Sequence, residues 1–411
     1  VENYRSSANI IQAANQLIQH NHDRMKQQHP IKVNQGRENL PVGGRWEKLD
    51  PLAKGRVQVI SCQNEIAQAQ AVKQELSRIK QLETSLDWSQ CAVLSKEWKL
   101  LNAVRSMLEA DNIPLSLALS KEQQLPPWRI RENLQLIQAI KNSPQILYKA
   151  SDWLDYLQQQ SGEQSNIWQQ QLILILQGWQ TETDNIETDK QLLLEYLYEA
   201  LSEQRKESRL GQGVFLSTIH SVKGMEFHHV LILDGGWGTV ASEENRRLYY
   251  VAMTRAKETL CLLDRKDSHN PYLEEIAAAN IFYRQMEMED IQSSAPDKHY
   301  HILGLKDVDL SFAGRCPANH PIHAALSNTR TGDKVTLAWQ GDKLVVQKQG
   351  VTLAALSKSA RQHWQNRLSS IQSIKVLALV HRNKTDNEES YQARCRVEHW
   401  EVPVLEIVTV D

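Results

Sequence analysis

The stretch TIHSVKGME, residues 218 to 226, puts a hydroxyl (Thr218), an imidazole (His220), an ammonium (Lys223) and a carboxylate (Glu226) in one short crossing, with a glycine at 224. Apolar runs flank it, Val214-Phe215-Leu216 before and Val230-Leu231-Ile232-Leu233 after, short and β-rich like buried strands of a parallel sheet. A mere connector needs only turn formers, so these groups point to hydrogen bonds and ion pairs with a ligand. Two other stretches carry related chemistry. NYRSS, 3 to 7, sets Tyr4 and Arg5 just before a helical pattern, where free backbone N–H groups favour anions. EENRRLYYVAMTRAKETL, 243 to 260, is an amphipathic helix that ends in Thr254-Arg255-Ala256-Lys257 directly before a strand. Each stretch lies at an element boundary, where ligands of open α/β sheets collect. Together they suggest a nucleotide.

The elements that must hold these groups read as follows. A helix is expected over 1 to 28, capped by Ser6 or Ser7, with Ile10, Ile11, Ala14, Leu17 and Ile18 on one face. LPVGGRWEKLDPLAKG, 40 to 55, reads as loop. A strand near 56 to 61, a helix at 64 to 80, a strand at 91 to 95 and a helix at 97 to 110 alternate as in a parallel sheet faced by helices. From about 128 to 207 glutamine-rich helical sequence with tryptophans interrupts this pattern. The alternation resumes at 213, passes a helix at 241 to 255 and closes with a strand at 258 to 264. Beyond SSAPDKHY, 293 to 300, the texture is mostly β, with a hairpin turning at Gly341-Asp342, a helix at 357 to 371, and strands at 374 to 381 and 391 to 409 that suggest a small barrel.

At 411 residues the chain supports several cores without a staple. Cys62, Cys91, Cys261, Cys316 and Cys395 show no C-x-x-C spacing, against a disulfide framework or a zinc site and in keeping with a reducing cytoplasm. The formal charge of −2 announces no nucleic-acid partner, so phosphate contacts must be local. No apolar run is long enough to span a bilayer, and no membrane role is expected. A valine start inside a polar stretch reads as the later part of a longer polypeptide.

NYRSS, TIHSVKGMEF and RRLYYVAMTRAK, in this order, resemble motifs IV, V and VI of the UvrD/Rep-type superfamily 1 DNA helicases, and the likeness runs over about residues 1 to 265. The resemblance implies an α/β fold: a RecA-like parallel sheet with helices on both faces, interrupted by an all-helical insert and followed by a small β-rich domain. It implies a first motor segment at 1–125, an insert (accessory domain) at 126–210, a second motor segment at 211–290, a linker at 291–298 and a β-rich domain at 299–411. By the same resemblance Tyr4 stacks on adenine, Arg5 and Arg255 reach the γ-phosphate as arginine fingers, Gly224 and Glu226 lie at the nucleotide with Glu226 on a ribose hydroxyl, and Thr218 and His220 hold single-stranded DNA. The crossing would then couple fuel to track.

No G-x-x-x-x-G-K-S/T phosphate loop occurs in the chain, and LILDGG offers only Asp234 where an acidic pair would be needed. In the resembled family those parts belong to an upstream RecA-like domain. The expected cofactors are therefore ATP and Mg²⁺, with the metal ligands on that upstream half. The expected partners are single-stranded or partly duplex DNA and the upstream domain, movement runs 3′ to 5′, and this half alone is inactive. TGDKVTLAW, VTLAALS and WEVPVLEIV resemble HIRAN modules, which implies a DNA-holding β-barrel.

Plainer readings stand beside these. His228 and His229 read as structural. Arg246 and Arg247 read as helix-surface partners of Glu243 and Glu244 at i, i+3 and i+4 spacing. Trp153, Trp168 and Trp179 read as packing, while Trp339, Trp364 and Trp400 suit base stacking if exposed. The alternative to a motor half is a non-catalytic DNA-binding or scaffolding module derived from one.

Overall fold

The computed structural model describes residues 2–3, 6–22, 32–33, 41–120, 122–160, 165–207, 209–276, 281–286 and 298–410. The chain divides into two compact units, Val1–Ala118 with Gln212–Asp297, and Leu119–Gly211 with Lys298–Asp411. The first runs through helix α1 (Ala8–Gln19), strand β1 (Val57–Cys62), α2 (Glu65–Leu82), β2 (Cys91–Ser95), α3 (Leu101–Ala110) and β3 (Leu115–Ala118). The chain then leaves for α4 (Arg131–Asn142), α5 (Ala150–Gln160), α6 (Ile167–Glu182) and α7 (Lys190–Glu207). It returns with β4 (Val214–Thr218), β5 (Phe227–Ile232), α8 (Glu243–Met253), β6 (Ala256–Arg265) and β7 (Ile281–Gln285).

The strands of the first unit pair in parallel in the order β7-β1-β6-β5-β2-β4-β3. Their alternation assigns the faces. Ala92, Leu94, Val230, Ile232, Leu260 and Leu262 join the core that contains Ile10, Leu17, Tyr249 and Ala252, so α1 and α8 cover that side. Cys91, Val93, Leu231, Leu233, Cys261 and Leu263 join the core that contains Val72, Leu76, Val104 and Leu108, so α2 and α3 cover the other. With both faces buried, the strand centres carry apolar residues on consecutive positions, which is why they read as continuous runs. Local signals set the helix starts: Asn64 Oδ1 accepts from Ala67 N–H and Ser242 Oγ from Asn245 N–H.

Asp234, isolated in the sequence, is consumed structurally. It is fully buried at the end of β5, where Oδ1 accepts from Gly235 N–H at 2.7 Å and Oδ2 from Arg265 N–H at 3.0 Å. Burial pushes its carboxyl up, and those two backbone donors offset part of the shift.

Several expectations are revised. The first helix covers Ala8–Gln19 among the described residues, and the loop at 40 to 55 contains one helical turn, Trp46–Leu49. β3 and the edge strand β7 are further strands of the sheet that the pattern did not reveal, because four or five residues carry too little periodicity. The end of the expected linker is strand β8 (Lys298–Leu303), which pairs antiparallel with the strand His399–Val410.

In the second unit α4 to α7 bury Leu136, Ile137, Ile140, Leu172, Leu176 and Leu197 together with Trp153 and Trp179. Trp168 turns instead to a smaller core with Ile130, Val380 and Val404, and its Nε1–H donates to Leu377 O at 2.8 Å. The tryptophans of the insert are thus packing groups. β9 (Thr336–Gln340), β10 (Lys343–Lys348) and β11 (Val351–Ala355) form one antiparallel sheet, with the β9–β10 turn at Gly341-Asp342 as expected. β8, β13 (His399–Val410) and β12 (Ile371–Asn383) form another, in that order with β13 central. Single bridges, Val308 to Leu356 and Lys334 to Lys375, link this region rather than a closed barrel ladder. The expected helix at 357 to 371 stops at Trp364, because Ile371 already pairs with Thr409. Trp364 and Trp400 are 2% and 3% exposed, so they pack rather than stack bases, whereas Trp339 is exposed.

The return from the insert is tightly specified. Gly213 has φ +136°, a Cβ there would stand 2.0 Å from Pro114 O, and Val214 N–H donates to that same oxygen at 2.9 Å. Gly213→Ala should cost about 1–3 kcal/mol. The midpoint of urea unfolding should fall at constant slope; an unmoved midpoint contradicts this account of the junction.

Candidate functional site

Backbone geometry draws the three chemistry-bearing stretches to one edge of the first unit. Ser7 N–H donates to Lys257 O at 2.9 Å, Phe227 N–H donates to Arg255 O at 2.9 Å, and Arg255 Nη1 donates to Met225 O at 3.0 Å. Arg255 is anchored further by Nε to Val251 O at 3.0 Å and Nη2 to Thr254 Oγ1 at 3.3 Å, so its guanidinium plane is set by the last turn of α8 and the crossing before β5. Glu226 meets Lys257 at 3.4 Å. Tyr4 and Arg5 lie outside the described residues; Ser7, which follows them, is the point where their stretch joins the other two.

The crossing from β4 to β5 runs the length of the sheet. Thr218 pairs with Ser95 at the end of β2, while His229 pairs with Cys91 at its start. Thr218 and Glu226 are therefore separated by about seven residue steps, roughly 23 Å along the strands. Ile219 and Val222, both buried, fasten the crossing to the core under α1 and α8. The polar groups are left outward: His220 and Lys223 are exposed, and Thr218 Oγ1 shares a hydrogen bond with Ser221 Oγ at 3.3 Å. Gly224 turns the chain at φ +89°. Arg255, Lys257 and Glu226 thus gather where β5 and β6 begin, and Thr218 and His220 lie at the opposite edge. Both groups lie at element boundaries, but at different ends of the sheet: one where β5 and β6 begin, the other where β4 ends.

A cavity of about 620 Å³ opens beside this edge, lined among others by Ser7, Gly44, Arg45, Trp46, Lys257 and Glu258. Ser7 Oγ is buried and has no hydrogen-bond partner. Arg45 bridges two carboxylates, with Nη2 donating to Glu83 Oε1 at 2.8 Å and to Glu258 Oε2 at 2.6 Å. Trp46 Nε1–H donates to Glu258 Oε2 at 2.7 Å. Burial pushes the Glu258 carboxyl up, yet Arg45 and Trp46 outweigh it and leave it below the usual carboxylate range. His229 is fully buried beneath them, and burial lowers its imidazole to about 4 against the pull of Glu258, so the ring is neutral. None of Arg45, Trp46, Glu83 or Glu258 stands out in the sequence; the one cue is an Arg-Trp pair inside a glycine-rich loop.

Arg246 departs from the expected helix-surface pairing. It forms a two-pronged ion pair with Glu275 at 2.6 Å and donates to Asn21 Oδ1 at 2.6 Å, joining α8 to the end of α1, while Arg247 does meet Glu243 at 3.6 Å. Residue 246 faces inward on α8 and 247 outward, which sequence spacing alone does not distinguish.

A parallel sheet covered by helices on both faces defines a doubly wound α/β unit. The family model for the UvrD-like helicase C-terminal domain matches residues 1–143 and again 129–266, more than half of the chain. The chain belongs to that family. No curated protein matches it. Among solved structures, the C-terminal domain of a possible DNA helicase from Lactobacillus plantarum WCFS1 is similar at 14% identity, covering 68% of this chain and 98% of that one with a TM-score of 0.32. No described helix is long and apolar enough to cross a membrane.

The loop that lines the cavity is pinned by Asp50, whose Oδ1 accepts from Leu52 N–H and Ala53 N–H and whose two oxygens take Arg78 at 2.9 and 3.0 Å. Burial pushes this carboxyl up, but Arg78 and the backbone donors hold it below its ordinary value. Its stabilising effect is complete above the unfolded-chain value near ~3.9 and fades as pH falls through the lower folded value. Asp50→Asn should lose about 1–3 kcal/mol at neutral pH, and urea unfolding at a series of pH values should show that gap closing in strong acid. A gap that persists there would remove the charge from the explanation.

Proposed function

We propose that this chain is the second motor half of an ATP-dependent DNA helicase or translocase of the UvrD-like family, working 3′ to 5′ with a separate RecA-like domain that carries the phosphate loop and the Mg²⁺ ligands. One observation carries the reading: Ser7, Glu226 and Arg255, from three distant stretches, meet through Lys257 and the start of β5 and β6. The described residues fit the nucleotide. Two cations, a carboxylate and an unmet serine hydroxyl suit a ligand that carries phosphates and ribose hydroxyls. ATP, when bound, supplies the phosphoanhydride whose cleavage drives movement.

In this reading Arg255 places its planar charge where negative charge builds on the transferred phosphoryl group, joined by Arg5, while Tyr4 covers the adenine face and Glu226 accepts from the ribose with Gly224 giving room. Thr218 and His220 hold the DNA backbone at the far edge. The crossing between them, fastened by Ile219 and Val222, links the two ends as one rigid piece. The partners are thus single-stranded or partly duplex DNA and the upstream RecA-like half.

Assembled with that half, the chain should show DNA-stimulated ATP hydrolysis. Arg255→Ala should lower turnover by roughly 10³- to 10⁵-fold and leave DNA affinity largely intact, whereas Thr218→Ala with His220→Ala should weaken single-strand binding in a fluorescence anisotropy titration. Arg255→Ala turnover equal to the native rate sinks the assignment.

A further inference from the structure

We propose that Glu83, His229 and Glu258 form a binding site for one divalent transition-metal ion, Zn²⁺ by the character of its donors, taken up in exchange for the Arg45 guanidinium. The three residues come from the end of α2, from β5 and from β6. One ligand atom from each lies within 4.8 Å of the others, the one such grouping among the described residues. His229 supplies the observation that separates this cluster from an ordinary ion-pair network. It is fully buried, its Nε2 has no hydrogen-bond partner, and that nitrogen stands 3.7 Å from Glu83 Oε2.

The rest of the ring is fixed. His229 Nδ1 shares a hydrogen bond with Thr259 Oγ1 at 2.8 Å, and Trp46 packs against the imidazole edge-on at 5.1 Å between centroids. With Nδ1–H donating to Thr259, the Nε2 lone pair points at the two carboxylates. That is how metal-binding histidines are oriented, one nitrogen anchored and the other presented. A buried nitrogen without a partner is costly, and a cation removes that cost.

Charge balance favours the exchange. Two carboxylates face a single guanidinium, which neutralises half of their charge; a divalent ion neutralises all of it. Arg45 is 48% exposed and borders the cavity beside Lys257, so it has room to leave. Zn–N and Zn–O bonds of about 2.0–2.2 Å require the carboxylates to close by an ångström or so, which side-chain rotation supplies. An imidazole with two carboxylates suits Zn²⁺ and its neighbours better than Mg²⁺, which prefers oxygen ligands and retained water. The site is therefore distinct from the metal that accompanies a nucleotide.

The test is calorimetric titration of the full chain with Zn²⁺, paralleled by Co²⁺ uptake followed in the visible spectrum. One equivalent should bind, and excess Mg²⁺ should not compete. Arg45→Gln should tighten binding by about tenfold, the effect of removing a competitor worth ~1.4 kcal/mol. Thr259→Val should weaken it by roughly 10- to 100-fold. Glu83→Gln and His229→Gln should abolish the Co²⁺ spectrum. If circular dichroism shows that His229→Gln fails to fold, Glu83→Gln decides. Absence of stoichiometric binding to the native chain and to Arg45→Gln, displacement by Mg²⁺, or equal binding by Glu83→Gln overturns the proposal.

Discussion

The site depends on a handful of main-chain hydrogen bonds at the start of two adjacent strands. Phe227 N–H to Arg255 O and Ser7 N–H to Lys257 O fix where β5, β6 and α1 begin relative to one another. Side chains are only as well placed as the backbone that carries them, and here that backbone is the first rung of a parallel ladder under a buried sheet. Arg255 adds a side-chain brace to the same rung through Met225 O. Loss of register between β5 and β6 would therefore separate the carboxylate from both cations at once.

A second constraint is electrostatic. The edge that carries Arg255 and Lys257 also carries Glu258, Glu83 and, beneath them, a neutral histidine. Opposite charges sit within one cavity wall, and Arg45 holds two carboxylates that would otherwise repel each other. Such pairs on a half-exposed wall contribute modestly to stability. Their larger effect is to decide which charges face the cavity.

Much of this was legible in the sequence. Strands buried on both faces announce themselves as apolar runs, and β1, β2, β4, β5 and β6 were all readable for that reason. Thr218, Glu226 and Arg255 stood out because they are polar groups in short stretches between apolar runs, and the structure places Glu226 and Arg255 at one edge. What the pattern did not carry was depth and direction. His229 and His228 are adjacent in sequence, yet only the strand's alternation, visible once its register is known, puts the former inside. Arg246 and Arg247 differ in the same way on α8. The Glu83–Glu258 pair spans residues far apart in the chain, and no local signal reports such a meeting. Strands β3 and β7 were too short to show a period, and the extended strands β12 and β13 began where cross-strand pairing, not propensity, required.

The position of the excursion between β3 and β4 has an evolutionary consequence. These strands are parallel immediate neighbours, Leu115 beside Val214, so the chain departs at the end of β3 and rejoins at the start of the very next strand, about one short strand length away. Closing a long detour between two fixed, nearby endpoints costs little more than closing a short one, about 0.6 kcal/mol for each doubling of length. Whatever is spliced in there can grow, shrink or be exchanged wholesale without sliding the rungs of the parallel sheet between β7 and β4, which makes this junction a natural port for new modules.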